Sequence, residues 1–140
     1  MAGNLTEHAH KRALIAGIGG AITAAAATYI ALATAEAASP GTATLAQFAA
    51  NEITTTGYQR QAISWGTATT TSGTTTIPNA NILTYTFEDD PPEVTHIFEC
   101  DTSIGTSGTV LAYWDLTSGL NAATDDHIIF PAGSITMSVA

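Results

Sequence analysis

Two histidines, His8 and His10, stand beside two of the chain's three basic residues, Lys11 and Arg12, and just ahead of a glycine-punctuated apolar run, "ALIAGIGGAIT". A shared metal ion would need both imidazoles on one face, yet residues two apart on a helix point in different directions. Solvated or interface histidines are the expectation there. The "GIGG" stretch lacks a preceding strand and follows neither the G-x-G-x-x-G nor the Walker spacing, so it reads as a helix stop rather than a phosphate loop. The densest acidic group, "FEDDPPE", sets Glu88, Asp89, Asp90 and Glu93 around two prolines. Oxygen ligands in a turn could hold calcium, but the EF-hand spacing is missing and a solvated loop between strands is the simpler reading. His96 and Cys100 share one face of a strand four residues apart, too far for a nucleophile and its base without distortion, and no serine lies in G-x-S-x-G. A buried, hydrogen-bonded His96 is expected. Arg60, with Trp65 and Trp114, could mark a hot spot or a sugar platform. The expectation is instead that Arg60 pairs with a carboxylate and that Trp114 fills the core. No catalytic, cofactor-binding or metal residue is assigned, and a non-enzymatic protein without cofactors is expected.

Composition narrows the classes further. At 140 residues the chain has the length of one domain. Charged residues make up 11%, far below the roughly 25% usual in soluble domains. Such a surface must be hydroxyl-rich or partly covered by a partner. Twelve acidic against three basic residues give a net charge of -9, which opposes nucleic acid and anionic membranes because phosphate binding needs clustered Lys and Arg. The single Cys100 excludes an intrachain disulfide and the thiolate-rich metal classes.

The N-terminal stretch imitates a secretory signal, with Lys11 and Arg12 before an apolar segment and "AEA" at Ala35 to Ala37. The imitation fails because the apolar stretch is long, glycine-broken and built of alanine and threonine rather than leucine. A membrane helix is not expected either, since alanine, glycine and threonine supply little transfer free energy. The spacing predicts a helix from about Asn4 to about Ile18, with Asn4 and Glu7 forming a capping-box pattern and Glu7 supporting Lys11 at i+4. Residues 1–27 are thus expected to be a helix with a glycine turn that docks on a partner, and residues 28–140 a β-sandwich. Leu5, His8, Lys11, Arg12 and Leu14 are the candidate interface residues, because the first two turns have little to bury within a lone sandwich.

From Thr28 onward apolar residues recur with period two, the signature of strands with one buried face. The stretches Thr28 to Thr34, Tyr58 to Trp65, Thr67 to Ile77, Leu83 to Phe87, Val94 to Asp101, Val110 to Thr117, His127 to Phe130 and Ile135 to Val139 predict about eight strands. In "TATTTSGTTT" Gly73 predicts a hairpin. The fold class expected is all-β, an antiparallel jelly-roll-like β-sandwich with a short N-terminal helix.

The segments "TYIALATAE", "GYQRQAISW", "VTHIFECD", "LAYWDLT" and the terminal "ITMSV", in that order and spacing, resemble a family of short tailed-phage virion proteins. Members carry a tail-fibre-like label, and similar small jelly-roll proteins serve as capsid cement or decoration. "FPAGSITMSV" stands where the family carries an F-x-A-G-x-L-T-V ending, whereas "FEDDPP" departs from the Ala-Thr-Trp-Gly-type turn of many members. The resemblance implies a virion structural protein of capsid or tail, and the low charge, hydroxyl-rich strands and poorly buried N-terminal segment favour a capsid cement subunit bridging neighbouring capsomers. Its implied partners are the major capsid protein and copies of itself. A tail or tail-fibre component, possibly a carbohydrate-binding host-recognition module, is the alternative.

Overall fold

The structure of the chain, a computed structural model, describes residues 2–5 and 27–139, the first four and Val139 by backbone alone. Among the described residues the elements follow in the order β1 (Ala2–Leu5), β2 (Thr28–Ala33), α1 (Leu45–Ala49), β3 (Gln61–Ile63), β4 (Thr69–Thr71), β5 (Thr74–Pro78), β6 (Leu83–Thr86), β7 (Val94–Cys100), β8 (Val110–Leu120), β9 (His127–Phe130) and β10 (Thr136–Val139). Eight strands form one sheet in the order β3-β2-β7-β8-β1-β10-β5-β4, and β6 pairs with β9 in a second. All pairings are antiparallel except that of β1 with β10.

The all-β sandwich expected from the alternation is the fold. Its division into eight strands against two means that the coarser description, a largely antiparallel sandwich, is the one that applies. The main core lies between the sheets: Ile30, Leu32, Ile97, Ala112 and Trp114 from β2, β7 and β8 meet Leu83, Tyr85, Ile128 and Phe130 from β6 and β9. The Tyr85 hydroxyl donates to the Ile30 carbonyl at 2.8 Å and ties the ribbon down. Strict alternation on β6 and β9 follows from one face on this core and one outside.

The other face of β2 and β7 is covered as well. Ala31, Ala33, Phe98, Cys100 and Val110 pack there against Leu45 and Phe48 of α1. The small side chains of "TYIALA" leave room for the helix, and a strand buried on both faces reads as a continuous apolar run. Thr44 opens α1, and its backbone N–H donates to Gln47 Oε1 at 2.8 Å, half of the Thr-x-x-Gln capping box.

Two findings correct the expected organisation. Asn4 and Leu5 belong to strand β1, paired with Tyr113 and Ala112 of β8, and not to the first turn of a helix. Residues 2–5 thus add a strand to the sheet between β8 and β10. The remainder of the expected helix lies outside the described residues. The second correction concerns β7, where a register shift between Val94 and His96 puts Val94 on the main core face while His96, Phe98 and Cys100 point to the other. A bulge offsets the parity of the pleat by one residue. The hairpin in the threonine run forms as expected, with Ser72 (φ 50°) and Gly73 (φ 84°) making its two-residue turn. Positive φ at both central positions is the twist-compatible type I′ geometry, which glycine adopts without steric cost.

Candidate functional site

Arg60 makes four hydrogen bonds through its guanidinium. It follows Tyr58 on the approach to β3, and its Nε and Nη2 donate to the two carboxylate oxygens of Glu52 at 2.8 and 2.6 Å. Nη1 also donates to the Thr102 carbonyl at 3.1 Å and Nη2 to the Gly105 carbonyl at 2.9 Å, while the guanidinium lies 5.8 Å from the Phe98 ring centre. Tyr58 donates its hydroxyl to Glu52 Oε1 at 2.9 Å and accepts the Leu32 amide at 2.9 Å. Burial, with the Glu52 charge adding to it, pushes the Tyr58 phenol far above its usual range, so it stays a donor. The hydrogen bonds to Glu52 hold the Arg60 guanidinium in its charged form. Arg60 thus pairs with a carboxylate as expected. It clamps the 102–105 loop to the segment before β3. An open cleft of about 390 Å³ lies here, lined in part by Ser103 and Ile104, but the fork of Arg60 is already committed to the protein.

The tryptophans are internal. Trp65 and Trp114 stack with ring centres 6.3 Å apart; Trp65 Nε1 donates to Glu99 Oε1 at 2.9 Å and Trp114 Nε1 to the Thr136 carbonyl at 3.0 Å. Trp114 is fully buried, as expected. Every Phe, Tyr and Trp of the chain is buried or half-buried, and the exposed large apolar side chains among the described residues are Ile82, Ile104 and Ile129. A platform for sugar stacking is therefore not assembled on the described surface.

The acidic loop does not converge either. Asp90 accepts the Thr124 hydroxyl and amide, both at 2.6 Å, bonds that lower its pKa. This contact belts the loop to the segment before β9. Cys100 is buried, its thiol raised first of all by that burial, and it donates to the Thr102 carbonyl at 3.3 Å. His96 and Cys100 therefore form no dyad.

His96 is where the structure departs most from expectation. It is half-buried rather than buried, with Nε2 3.0 Å from Asp115 Oδ1 and Nδ1 2.8 Å from Thr95 Oγ1. The Asp–His–Thr connectivity imitates a nucleophile triad, but its polarity is reversed. Thr95 donates its only hydroxyl proton to the Thr34 carbonyl at 2.7 Å, so Oγ1 accepts from His96 Nδ1–H and is not activated by it. Glu36, on the loop after β2, completes a trio. Among the described residues, Glu36, His96 and Asp115 are the set of three ligand-type side chains whose donor atoms lie within 4.8 Å of one another. Sequence reasoning missed this trio because Glu36, His96 and Asp115 are brought together by strand register, Ala33 opposite His96 and His96 opposite Asp115. No spacing motif carries that signal. Of the candidate interface residues, Leu5 lies in β1, and His8, Lys11, Arg12 and Leu14 lie outside the described residues.

The aromatic side chains are buried or half-buried and the Arg60 cluster braces loops, so the fold by itself assigns no function. The sequence matches the family described as podophage GP4 fiber I protein gp80 over residues 4–138. The chain belongs to that family, and it is a fibre-related structural protein of a short-tailed phage virion. No curated protein matches it.

Proposed function

We propose that this chain is a non-enzymatic structural subunit of the tail-fibre apparatus that acts by packing against other virion proteins, including further copies of itself. The observation that carries the reading is the family match across nearly the whole chain to proteins described as fibre I. Interior aromatic residues support packing over sugar recognition, because carbohydrate platforms need exposed aromatic faces. Exposed Ile129 on the outer face of β9, with Ile82 just before β6, offers the isolated aliphatic contacts such packing uses. A second reading, capsid cement bridging neighbouring capsomers with the major capsid protein as partner, draws on the low charge and hydroxyl-rich strands, which suit a subunit with shared surfaces.

Immunogold labelling of intact particles tests the position. Label at the tail supports the fibre reading, label over the capsid surface supports cement, and absence from purified particles overturns both. Ile82→Asp and Ile129→Asp are expected to leave the purified subunit folded and to lower its incorporation into particles; undiminished incorporation would remove the β6–β9 face from the packing surface.

A further inference from the structure

We propose that Glu36, His96 and Asp115 form a binding site for a divalent transition-metal ion of the zinc class. The first support is the proton inventory of the imidazole. Thr95 has one hydroxyl proton, and a carbonyl oxygen, that of Thr34, takes it. His96 Nδ1 must therefore carry the hydrogen of the Thr95 contact. Nε2 faces a carboxylate oxygen 3.0 Å away, a contact that needs a positive centre between the two atoms, either a proton on Nε2 or a metal ion in its place.

The second support is uncompensated charge. Two carboxylates flank the imidazole, and Arg60, the one Lys or Arg among the described residues, is committed to Glu52. The third support is the donor set. One imidazole nitrogen and two carboxylate oxygens suit zinc and its neighbours, whereas calcium and magnesium prefer oxygen alone. Arms of roughly 2.0–2.2 Å at a tetrahedral angle separate ligand atoms by about 3.3–3.6 Å. The Nε2 to Oδ1 distance is already near that range, and Glu36, which is exposed, has the freedom to close the remaining gap. Thr95 is a positioning residue. Its acceptor oxygen fixes the tautomer and the ring plane, as outer-shell partners of metal-bound histidines do.

The site would tie the loop after β2 to β7 and β8 with coordination positions left for water or a partner's side chain. It goes beyond the structural reading above and does not depend on it.

Titrating the full chain with zinc chloride at neutral pH by calorimetry tests the proposal. Expected is saturable uptake of one ion per chain, weakened at least about tenfold by His96→Ala and by Asp115→Asn, the second variant preserving side-chain shape. Thr95→Val is expected to weaken binding roughly tenfold with the thermal transition intact, and His127→Ala, at an exposed site on β9, to leave binding unchanged. Nitrogen-15 chemical shifts should show Nδ1–H and a metal-shifted Nε2 on saturation. No saturable uptake by the parent chain would overturn the proposal, as would parent-like uptake by folded His96→Ala, which would move the ion to another site such as His8 and His10, or Nε2–H persisting at saturation.

Discussion

Replacing Arg60 with alanine measures what holds the 102–105 loop and the segment before β3 to the sandwich. Whether this ion pair matters depends on burial, since an exposed pair contributes about 0–1 kcal/mol, while removing one partner of a buried pair costs about 3–5 kcal/mol. The side chains of Arg60 and Glu52 retain only 4% and 11% of their accessibility, which places them in the second regime. Truncation leaves the Glu52 carboxylate with the Tyr58 hydroxyl and removes the donors that satisfy the Thr102 and Gly105 carbonyls. The loss expected in chemical denaturation of the purified chain is about 3–5 kcal/mol, or roughly 10–15 °C in Tm for a domain of this size. The pair itself need not be net stabilising, because two desolvated charges can be replaced by apolar groups of similar shape at little cost. The double variant Arg60→Met with Glu52→Leu should therefore lose less than Arg60→Met alone. An Arg60→Ala variant within about 1 kcal/mol of the parent would refute the assignment of this cluster as a brace.

Three further outcomes are expected. Cys100 should resist thiol-specific reagents at mildly alkaline pH until the chain unfolds, because burial raises its thiol and covers it; rapid labelling of the native protein would show that the α1 face opens. Asp90 has its pKa lowered below its usual 3.8 by the Thr124 hydroxyl and then the Thr124 amide, so its contribution is complete above the unfolded value and lost as pH falls through the lower folded one. The Thr124 amide resonance should follow that acid step and lose it in Asp90→Ala. Deleting residues 1–5 removes the strand between β8 and β10, and the truncated chain should be less stable and aggregate through the edges exposed; a soluble variant of unchanged Tm would show that β1 adds nothing to the sheet.

The strands were legible wherever one face is buried and the other wet. Leu83, Tyr85, Ile128 and Phe130 alternate with exposed neighbours, and β6 and β9 fall within the stretches the pattern marks. Legibility failed at three kinds of place. The helix α1 is five residues long, shorter than any hydrophobic period can reveal, although Thr44 and Gln47 carry its capping pattern. Strand β1 owes its conformation to two neighbours far along the chain, β8 and β10, and its four residues have no alternation of their own to read. Parity along the sequence puts His96 on one face with Val94, whereas the register shift between them turns it to the other. Arg60 and Trp114 were readable because scarcity constrains them: one cation among many carboxylates finds a partner, and the largest apolar ring finds the core.

The distribution of buried surface also limits where function can reside. Strand β2 has Ile30 and Leu32 against one core and Ala31 and Ala33 against the other, and β7 is divided the same way between Ile97 and Phe98. Even the carboxylate of Glu99, buried on β7, accepts hydrogen bonds from Thr28 and Trp65 within the sandwich. Strands β2 and β7 therefore have no free face to offer a partner. Among the described residues, exposed surface includes the threonine-rich edge at β4, the outer face of β6 and β9, and the corner where Glu36, His96 and Asp115 meet. Strands covered on both faces, with exposed edges and margins beside them, suit contact with neighbours edge by edge. Substitutions on these margins should alter assembly while leaving the fold intact, and substitutions at the double-covered centre should do the reverse.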